Sequence, residues 1–331
     1  MEKITQDEII MGINKYRKNK KHKILFLLAL IIVAGGIWQI IMERYEADQY
    51  LPSGKIITVN SHKMHTYSLG NGKDTLVFIA GSGTTSAYTD FYYMQQELSA
   101  YTKTFSYDHA GLGWSEGTDI PRTIDNVTAE LHELLREAGH AAPYVLVAHS
   151  LGALEAIRYA QRYEGEVKII ILLDGGSPEY YADYSEGSSI LLNRTSAVLR
   201  ITGINRLLGN LGFMLPFVGE DTRNHLLPEG IRKIDAAMYY NKLGSSENLK
   251  GLGLINENAK TVIENGYLKN IPLLALAAKS DDKWAKAQEE LLSWSDRSSG
   301  MVMKDSKHYL HWTNKDSVIA EILDFLNKYG N

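Results

Sequence analysis

The chain has 331 residues, 44% hydrophobic and 22% charged, with a formal net charge of −4 at pH 7. Those proportions are those of a globular protein of one large or two ordinary domains, and the small negative charge speaks against a nucleic-acid partner. The chain has no cysteine, which excludes disulfides, thiolate metal sites and a cysteine nucleophile.

Residues 24–42 are apolar apart from Gln39. As a helix rising about 1.5 Å per residue, such a run covers about 28 Å, the hydrocarbon core of a bilayer. Lys15, Arg17, Lys18, Lys20, Lys21 and Lys23 precede it; Glu43, Glu46 and Asp48 follow it, opposed by Arg44. This asymmetry predicts a cytoplasmic basic tail (1–23), a single-pass signal anchor in the cell membrane (24–42) and an extracytoplasmic remainder. Trp38 lies near the outer end, where an interfacial aromatic is expected. A cleaved signal peptide would have a shorter apolar core and a small-x-small cleavage site; here the core is long and no Ala-x-Ala follows it.

Beyond the anchor, short apolar runs alternate with helical patterns. Residues 55–59 and 63–68 read as a hairpin turning near Asn60-Ser61. Residues 75–79 form a continuous apolar strand, 91–100 a helix and 104–107 a strand. Ile124, Val127, Leu131, Leu134 and Leu135 share one face of a helix begun at Pro121. Residues 144–148 and 167–173 are strands, as are 271–277 and 301–303. Val318, Ile319, Ile322, Phe325 and Leu326 give the last helix its apolar face. Such alternation predicts a mostly parallel sheet with helices on both faces, binding its ligand at the carboxyl ends of the strands.

Between Asp174 and Ile271 the rhythm breaks. Residues 183–188 read as a loop, and 196–211, 230–243 and 246–264 as helices. The expected organisation is a core of 55–174 and 271–331 interrupted by a helical cap, 175–270. The cap carries Tyr180, Tyr181, Tyr184, Tyr239 and Tyr240, residues that line apolar pockets or pack helices. Residues 199–215 are apolar enough to touch a bilayer.

Ala148-His149-Ser150-Leu151-Gly152 joins a strand pattern to a helix pattern. A serine flanked at two residues by small side chains on such a turn has the signature of a nucleophile elbow; the bland alternative makes Ser150 a helix N-cap. A nucleophile needs a base, an orienting acid and an oxyanion site. His225, His308 and His311 lie downstream. His308, in the loop after strand 301–303, is the expected base, with His311 as the alternative. His308 and His311 also make a metal pair, but no third ligand cluster accompanies them in sequence, so no metal is expected. Asp281, just past strand 271–277, is the first choice of acid, Asp282 the second, and Asp174, after strand 167–173, the third. The oxyanion amides are expected from Leu151 and from Ser82 in Ala80-Gly81-Ser82-Gly83. That loop lacks the Lys-Ser/Thr of a phosphate-binding loop.

Together these residues resemble the α/β-hydrolase superfamily, over roughly residues 55–328. Tyr107-Asp108-His109-Ala110-Gly111-Leu112-Gly113-Trp114-Ser115 is similar to the "YDRxGxGxS" segment of those enzymes, with His109 where arginine is usual. Ala148–Gly152 resembles "GHSxG". Ala80-Gly81-Ser82-Gly83 stands where the family has its His-Gly-x oxyanion motif, and Lys307-His308-Tyr309-Leu310-His311 resembles "GHxxH", which puts the base at His308. The resemblance implies an eight-stranded sheet, a triad and hydrolysis through an acyl-enzyme, the acid following either of two strands. The expected activity is a serine hydrolase acting on a carboxylic ester or related acyl compound, a small molecule or a lipid, with no cofactor. The alternatives are an aminopeptidase, in which Glu179, Asp183 or Glu186 would hold the substrate amine, a lipase-like acyltransferase, and a non-catalytic, membrane-tethered binding protein.

Overall fold

The computed structural model describes residues 6–213, 223, 225–280 and 282–330. Its strands are β1 (Lys55–Val59), β2 (His62–Leu69), β3 (Thr75–Ile79), β4 (Lys103–Tyr107), β5 (Tyr144–His149), β6 (Val167–Leu173), β7 (Leu273–Ala278) and β8 (Ser298–Met303). They form one eight-stranded sheet in the order β1-β2-β4-β3-β5-β6-β7-β8. β1, β2 and β4 pair antiparallel, and every pair from β4 across to β8 is parallel. This is the α/β-hydrolase fold. The β1–β2 hairpin turns through Asn60 and Ser61, both with positive φ (48° and 68°), as a two-residue hairpin turn requires.

β3 and β5 are buried along their whole length, which explains their unbroken apolar sequences. Alternate residues serve opposite faces. Leu146 and Leu172 pack on one side with α4 (Ile124–Glu137) and α5 (Gly152–Arg162). Val147 and Ile171 pack on the other with α3 (Tyr92–Leu98) and the last helix, Lys315–Tyr329. α4 starts later than Pro121 because the Thr123 hydroxyl accepts the Asn126 amide at 3.3 Å and caps the helix there. The stretch expected as one helix over 91–100 is preceded by the short α2 (Ala87–Asp90).

Between β6 and β7 the described residues hold helices and turns: α6 (Pro178–Ala182), α7 (Glu186–Ile201), α8 (Ile204–Asn210), then Glu229–Lys242, Ser246–Leu252 and Ile255–Glu264. The expected loop over 183–188 is shorter, since α7 begins at Glu186. The helix expected over 196–211 breaks at Gly203, which adopts φ +70° and lies so close to Gly35 that a Cβ would meet its carbonyl oxygen at 2.5 Å. The helix expected over 246–264 divides at Gly253-Leu254.

The apolar run 24–42 lies inside α1 (Gln6–Gln49). Residues 24–34 are exposed all round, whereas beyond Gly35 one face becomes buried, with Gln39 2% and Glu46 9% exposed. Positions 35, 39, 42 and 46 repeat at helical spacing, so this face docks on the body of the protein.

Candidate active site

Ser150 stands between β5 and α5 with φ +52°, a conformation uncommon for a residue with a side chain. The turn is pinned from both sides: the Ser150 amide donates to Leu173 O at 3.1 Å, and Ser150 O accepts from the Ala153 amide at 3.1 Å. The small neighbours have a steric cause. A Cβ on Gly152 would lie 3.0 Å from the carbonyl oxygens of Ile79 and Ala80, and Ala148 is fully buried.

His308 follows β8 and precedes the short helix Leu310–Thr313. Its Nε2 lies 3.0 Å from Ser150 Oγ and its Nδ1 2.6 Å from Asp174 Oδ2. Asp174 directly follows β6, is 1% exposed and has φ +47°. Its amide donates to Leu276 O at 2.7 Å, and its Oδ1 accepts from the Ala278 amide at 2.8 Å. The carboxylate is therefore held from β7 while its other oxygen faces the imidazole.

This corrects the order of acids expected from sequence. The position at His308 Nδ1 is filled by Asp174, the third choice. Asp281 lies outside the described residues, and Asp282 opens the helix Asp282–Leu291. The reason lies in the sheet order. β6 adjoins β5 and its Ser150 elbow, whereas β7 is one strand further away and supplies the Ala278 amide that fixes Asp174. His311, the alternative base, is buried beside Asp90 at 3.4 Å, and His225 is exposed.

Ser82 and Leu151 line the same cavity as Ser150. Neither backbone amide has a hydrogen-bond partner among the described residues. Gly81 is needed for close approach, since a Cβ there would lie 3.0 Å from Ser150 Cβ and from His149 Nδ1. The Ser82 loop is anchored by Asn248, whose Oδ1 accepts from Ser82 Oγ and from the Gly83 amide, each at 3.0 Å.

Ser150 and His308 open into a cavity of about 680 Å³, within the usual range for a small-molecule site. Its walls include Tyr181, Tyr184, Leu192, Leu243, Ile255 and Trp284. Burial pushes the Tyr181 hydroxyl well above the ordinary tyrosine range, against the opposing effect of its contact with Ser150. Trp284 packs edge-on to His308, with ring centroids 5.7 Å apart. Among the described lining residues the ionic side chains are Asp174, His308, Lys279 and Lys283. The carboxylates expected to hold a substrate amine lie elsewhere. Glu179 accepts from Trp294 Nε1, Glu186 accepts from the Asn256 amide, and Asp183 is exposed.

Behind the serine, His149 Nε2 lies 3.1 Å from His308 O. Burial, reinforced by the nearby His311 and His308, pushes His149 far below the ordinary histidine range. Asp90, His149 and His311 present ligand-type atoms within 4.8 Å of one another, a trio that the sequence spacing does not reveal. Arg223 Nη1 and Trp312 Nε1 donate to Asp90 at 3.0 and 3.2 Å. Burial would raise the Asp90 carboxyl, but His311 and Arg223 outweigh it and hold it below the usual range. A guanidinium already compensates this carboxylate, so the trio suits a metal cation poorly. His109, in the usual arginine position, pairs with Glu155 at 2.8 Å.

The family profile described as "Alpha/beta hydrolase family" matches residues 76–321, and the chain belongs to that family. In sequence it is 29% identical over 256 residues to the Bacillus subtilis (strain 168) protein YbdG, covering 77% of this chain and 78% of that one. In structure it is similar to a thermophilic esterase from Thermogutta terrifontis (TM-score 0.62, 17% identity, 84% of this chain and 100% of that chain). It is equally similar to an epoxide hydrolase from Bacillus megaterium (TM-score 0.62, 17% identity, 82% and 100%). At such identity these likenesses speak for the fold, and one fold hosts several chemistries.

The sequence did not single out Asn248, Trp284 or Lys283 as neighbours of the site, and Tyr181 stood only as one cap aromatic among several. Asn248 and Tyr181 reach the site from helices more than ten residues from any motif, so no local spacing marks them.

Proposed function

We propose that the protein is a membrane-anchored serine hydrolase that cleaves a carboxylic ester or related acyl compound. The observation that carries this reading is the unbroken line Ser150 Oγ–His308 Nε2, His308 Nδ1–Asp174 Oδ2, at 3.0 and 2.6 Å. In this reading Ser150 Oγ attacks the acyl carbon as His308 Nε2 takes its proton. Asp174 keeps the proton of Nδ1 in place and stabilises the imidazolium. The amides of Leu151 and Ser82 take the charge that develops on the carbonyl oxygen, an effect of about 3 kcal/mol per donor elsewhere. His308 returns the proton to the leaving alkoxide, leaving an acyl-Ser150. Water, deprotonated by His308, then releases the acid.

Residues 175–270 act as the cap, supplying the tyrosines and leucines of the cavity wall. An apolar wall favours an acyl chain. A substrate ammonium would meet Lys279 and Lys283 instead of Glu179, Asp183 or Glu186, which argues against an aminopeptidase. A serine in place of an aspartate at the elbow disfavours the epoxide-opening chemistry of some relatives of the fold. Residues 24–42 serve as the anchor, with the basic tail cytoplasmic and the hydrolase domain outside.

The test is labelling of membranes with a fluorophosphonate probe. Wild type should label and Ser150→Ala should not, with both proteins folded. A folded wild type that fails to react, or a Ser150→Ala variant that still turns over esters, would overturn the reading.

A further inference from the structure

The outer third of α1 is part of the body of the protein. Gln39 Nε2 donates to Tyr240 O at 2.9 Å, and Gln39 Oε1 accepts from Arg206 Nε at 2.9 Å. Arg206 Nη2 also donates to Glu46 Oε2 at 2.8 Å and to Asn241 Oδ1 at 2.8 Å. The Arg206 side chain is 3% exposed. Cleavage between Glu46 and β1 would separate Arg206 from its carboxylate and from Gln39, and a buried guanidinium without its carboxylate is strongly destabilising. α1 is therefore built to remain attached.

The second observation is where the contact falls. A Cβ on Gly35 would meet Thr202 O at 2.3 Å, and one on Gly36 would meet Ile201 O at 3.3 Å. The end of α7 thus touches α1 within the apolar run, seven residues before Met42. At about 1.5 Å per residue that is about 10 Å below the outer end of the run. With 24–42 in the hydrocarbon, the α7–α8 junction cannot stand above the membrane. The side chains it presents agree: Val198, Ile201, Ile204, Leu207, Leu211 and Phe213 are 59, 59, 37, 49, 62 and 67% exposed. An exposed apolar patch of this kind marks an interaction surface, and a depth of about 10 Å is typical of interfacial helices.

We infer that the α7–α8 segment is immersed in the outer leaflet beside α1, and that the acyl cavity is fed from that leaflet by a membrane-resident acyl lipid. The link to the cavity is Leu192 of α7, which is 56% exposed and also lines the wall near Ser150. The lipid-substrate part rests on the hydrolase reading above; the immersion does not.

The chain contains no cysteine, so single cysteines introduced into the full-length protein can be labelled without background. Leu207→Cys, Leu211→Cys, Leu28→Cys and Glu137→Cys would each carry a fluorophore in vesicles of phosphatidylcholine and phosphatidylglycerol. Nitroxide on the lipid acyl chains should quench the labels at 28, 207 and 211 several-fold more than an aqueous quencher does, with the reverse at 137. Aqueous quenching at 207 and 211 with lipid quenching at 28 would overturn the immersion while leaving the anchor. Aqueous quenching at all three would overturn both. Leu207→Asp/Leu211→Asp, tested in parallel, should lose at least tenfold against a long-chain ester dissolved in the vesicles and keep its rate on water-soluble p-nitrophenyl acetate. An equal fall on both substrates would overturn lateral feeding. If wild type hydrolyses neither ester, the hydrolase reading fails while the quenching still decides the immersion.

Discussion

Asp174 Oδ2 and His308 Nδ1 lie 2.6 Å apart across 134 residues of sequence. The pairing rests on the sheet, because Asp174 is fixed by the Leu276 carbonyl and the Ala278 amide of the neighbouring strand. β6 adjoins the strand that carries Ser150, so an acid at its end reaches the imidazole without a long loop.

Replacing that acid should separate it from the aspartates after β7. Asp174→Asn keeps the shape but favours the wrong imidazole tautomer, and kcat should fall by about 10³–10⁴-fold. Asp281→Asn and Asp282→Asn should stay within about threefold of wild type, since Asp174 already occupies the position at His308 Nδ1. Steady-state hydrolysis of a p-nitrophenyl ester checks this, with circular dichroism to verify folding. A collapse of activity in Asp281→Asn with Asp174→Asn unharmed would reverse the assignment.

Asn248 should act as a positioning residue for the oxyanion loop. It accepts from Ser82 Oγ and Gly83 N, and its Nδ2 donates to Asn193 Oδ1 at 2.8 Å. Asn248→Ala frees the loop, so kcat should fall about tenfold with a much smaller change in KM, because the oxyanion forms only on the way to the transition state. Asn248→Asp keeps the accepting oxygen and should recover most of the loss. A change confined to KM would mean that Asn248 only shapes the pocket.

What the sequence made legible follows from how local each constraint is. The elbow is readable because one tight turn demands Ala148 and Gly152 around Ser150, all within five residues. β3 and β5 are readable because burial on both faces leaves an unbroken apolar string. The contact of Asp174 with His308 is not readable from sequence, because Asp174 and Asp281 each follow an apolar strand and only the order of strands in the sheet brings β6 beside the elbow. The close approach of Gly203 to Gly35 is not readable from sequence, because the two glycines are remote along the chain. The buried role of Gln39 was hidden likewise, since its partner Arg206 lies 167 residues away.

Acid should destabilise the protein in two stages, each with a sign fixed by its group. Burial, helped by Lys103 and Lys55, pushes His140 from 6.5 down to about 4. The unfolded chain then takes up this proton first, so stability present above pH 6.5 is lost as pH falls towards 4. Burial would raise Glu130, but His62 and Arg122 outweigh it and hold the carboxyl at about 2 instead of 4.5. Its contribution, on the order of 3 kcal/mol, is complete above pH 4.5 and lost as pH falls towards 2. Melting temperature measured from pH 7 to 3 should show His140→Gln flattening the upper limb and Glu130→Gln the lower one. Unchanged slopes in both variants would remove these groups as the cause.

The network joining α1 to the helices after β6 gives the last prediction. Arg206 meets Glu46 through two nitrogens, Gln39 through a third contact and the Tyr240 ring at 4.9 Å, all shielded from water. Glu46→Leu removes the carboxylate and leaves the guanidinium buried and uncompensated, at a cost of about 3–5 kcal/mol. In a chain of this size that should lower the melting temperature of the detergent-solubilised protein by roughly 6 °C or more. Glu46→Leu/Arg206→Met removes both charges and fills the space with apolar atoms, so it should be less damaging than Glu46→Leu alone. That order, with the double variant above the single, is the signature of a buried pair that ties α1 to the rest of the fold. If both proteins melt like wild type, α1 is not bound to the domain through Arg206, and the depth inferred for α7 and α8 loses its support.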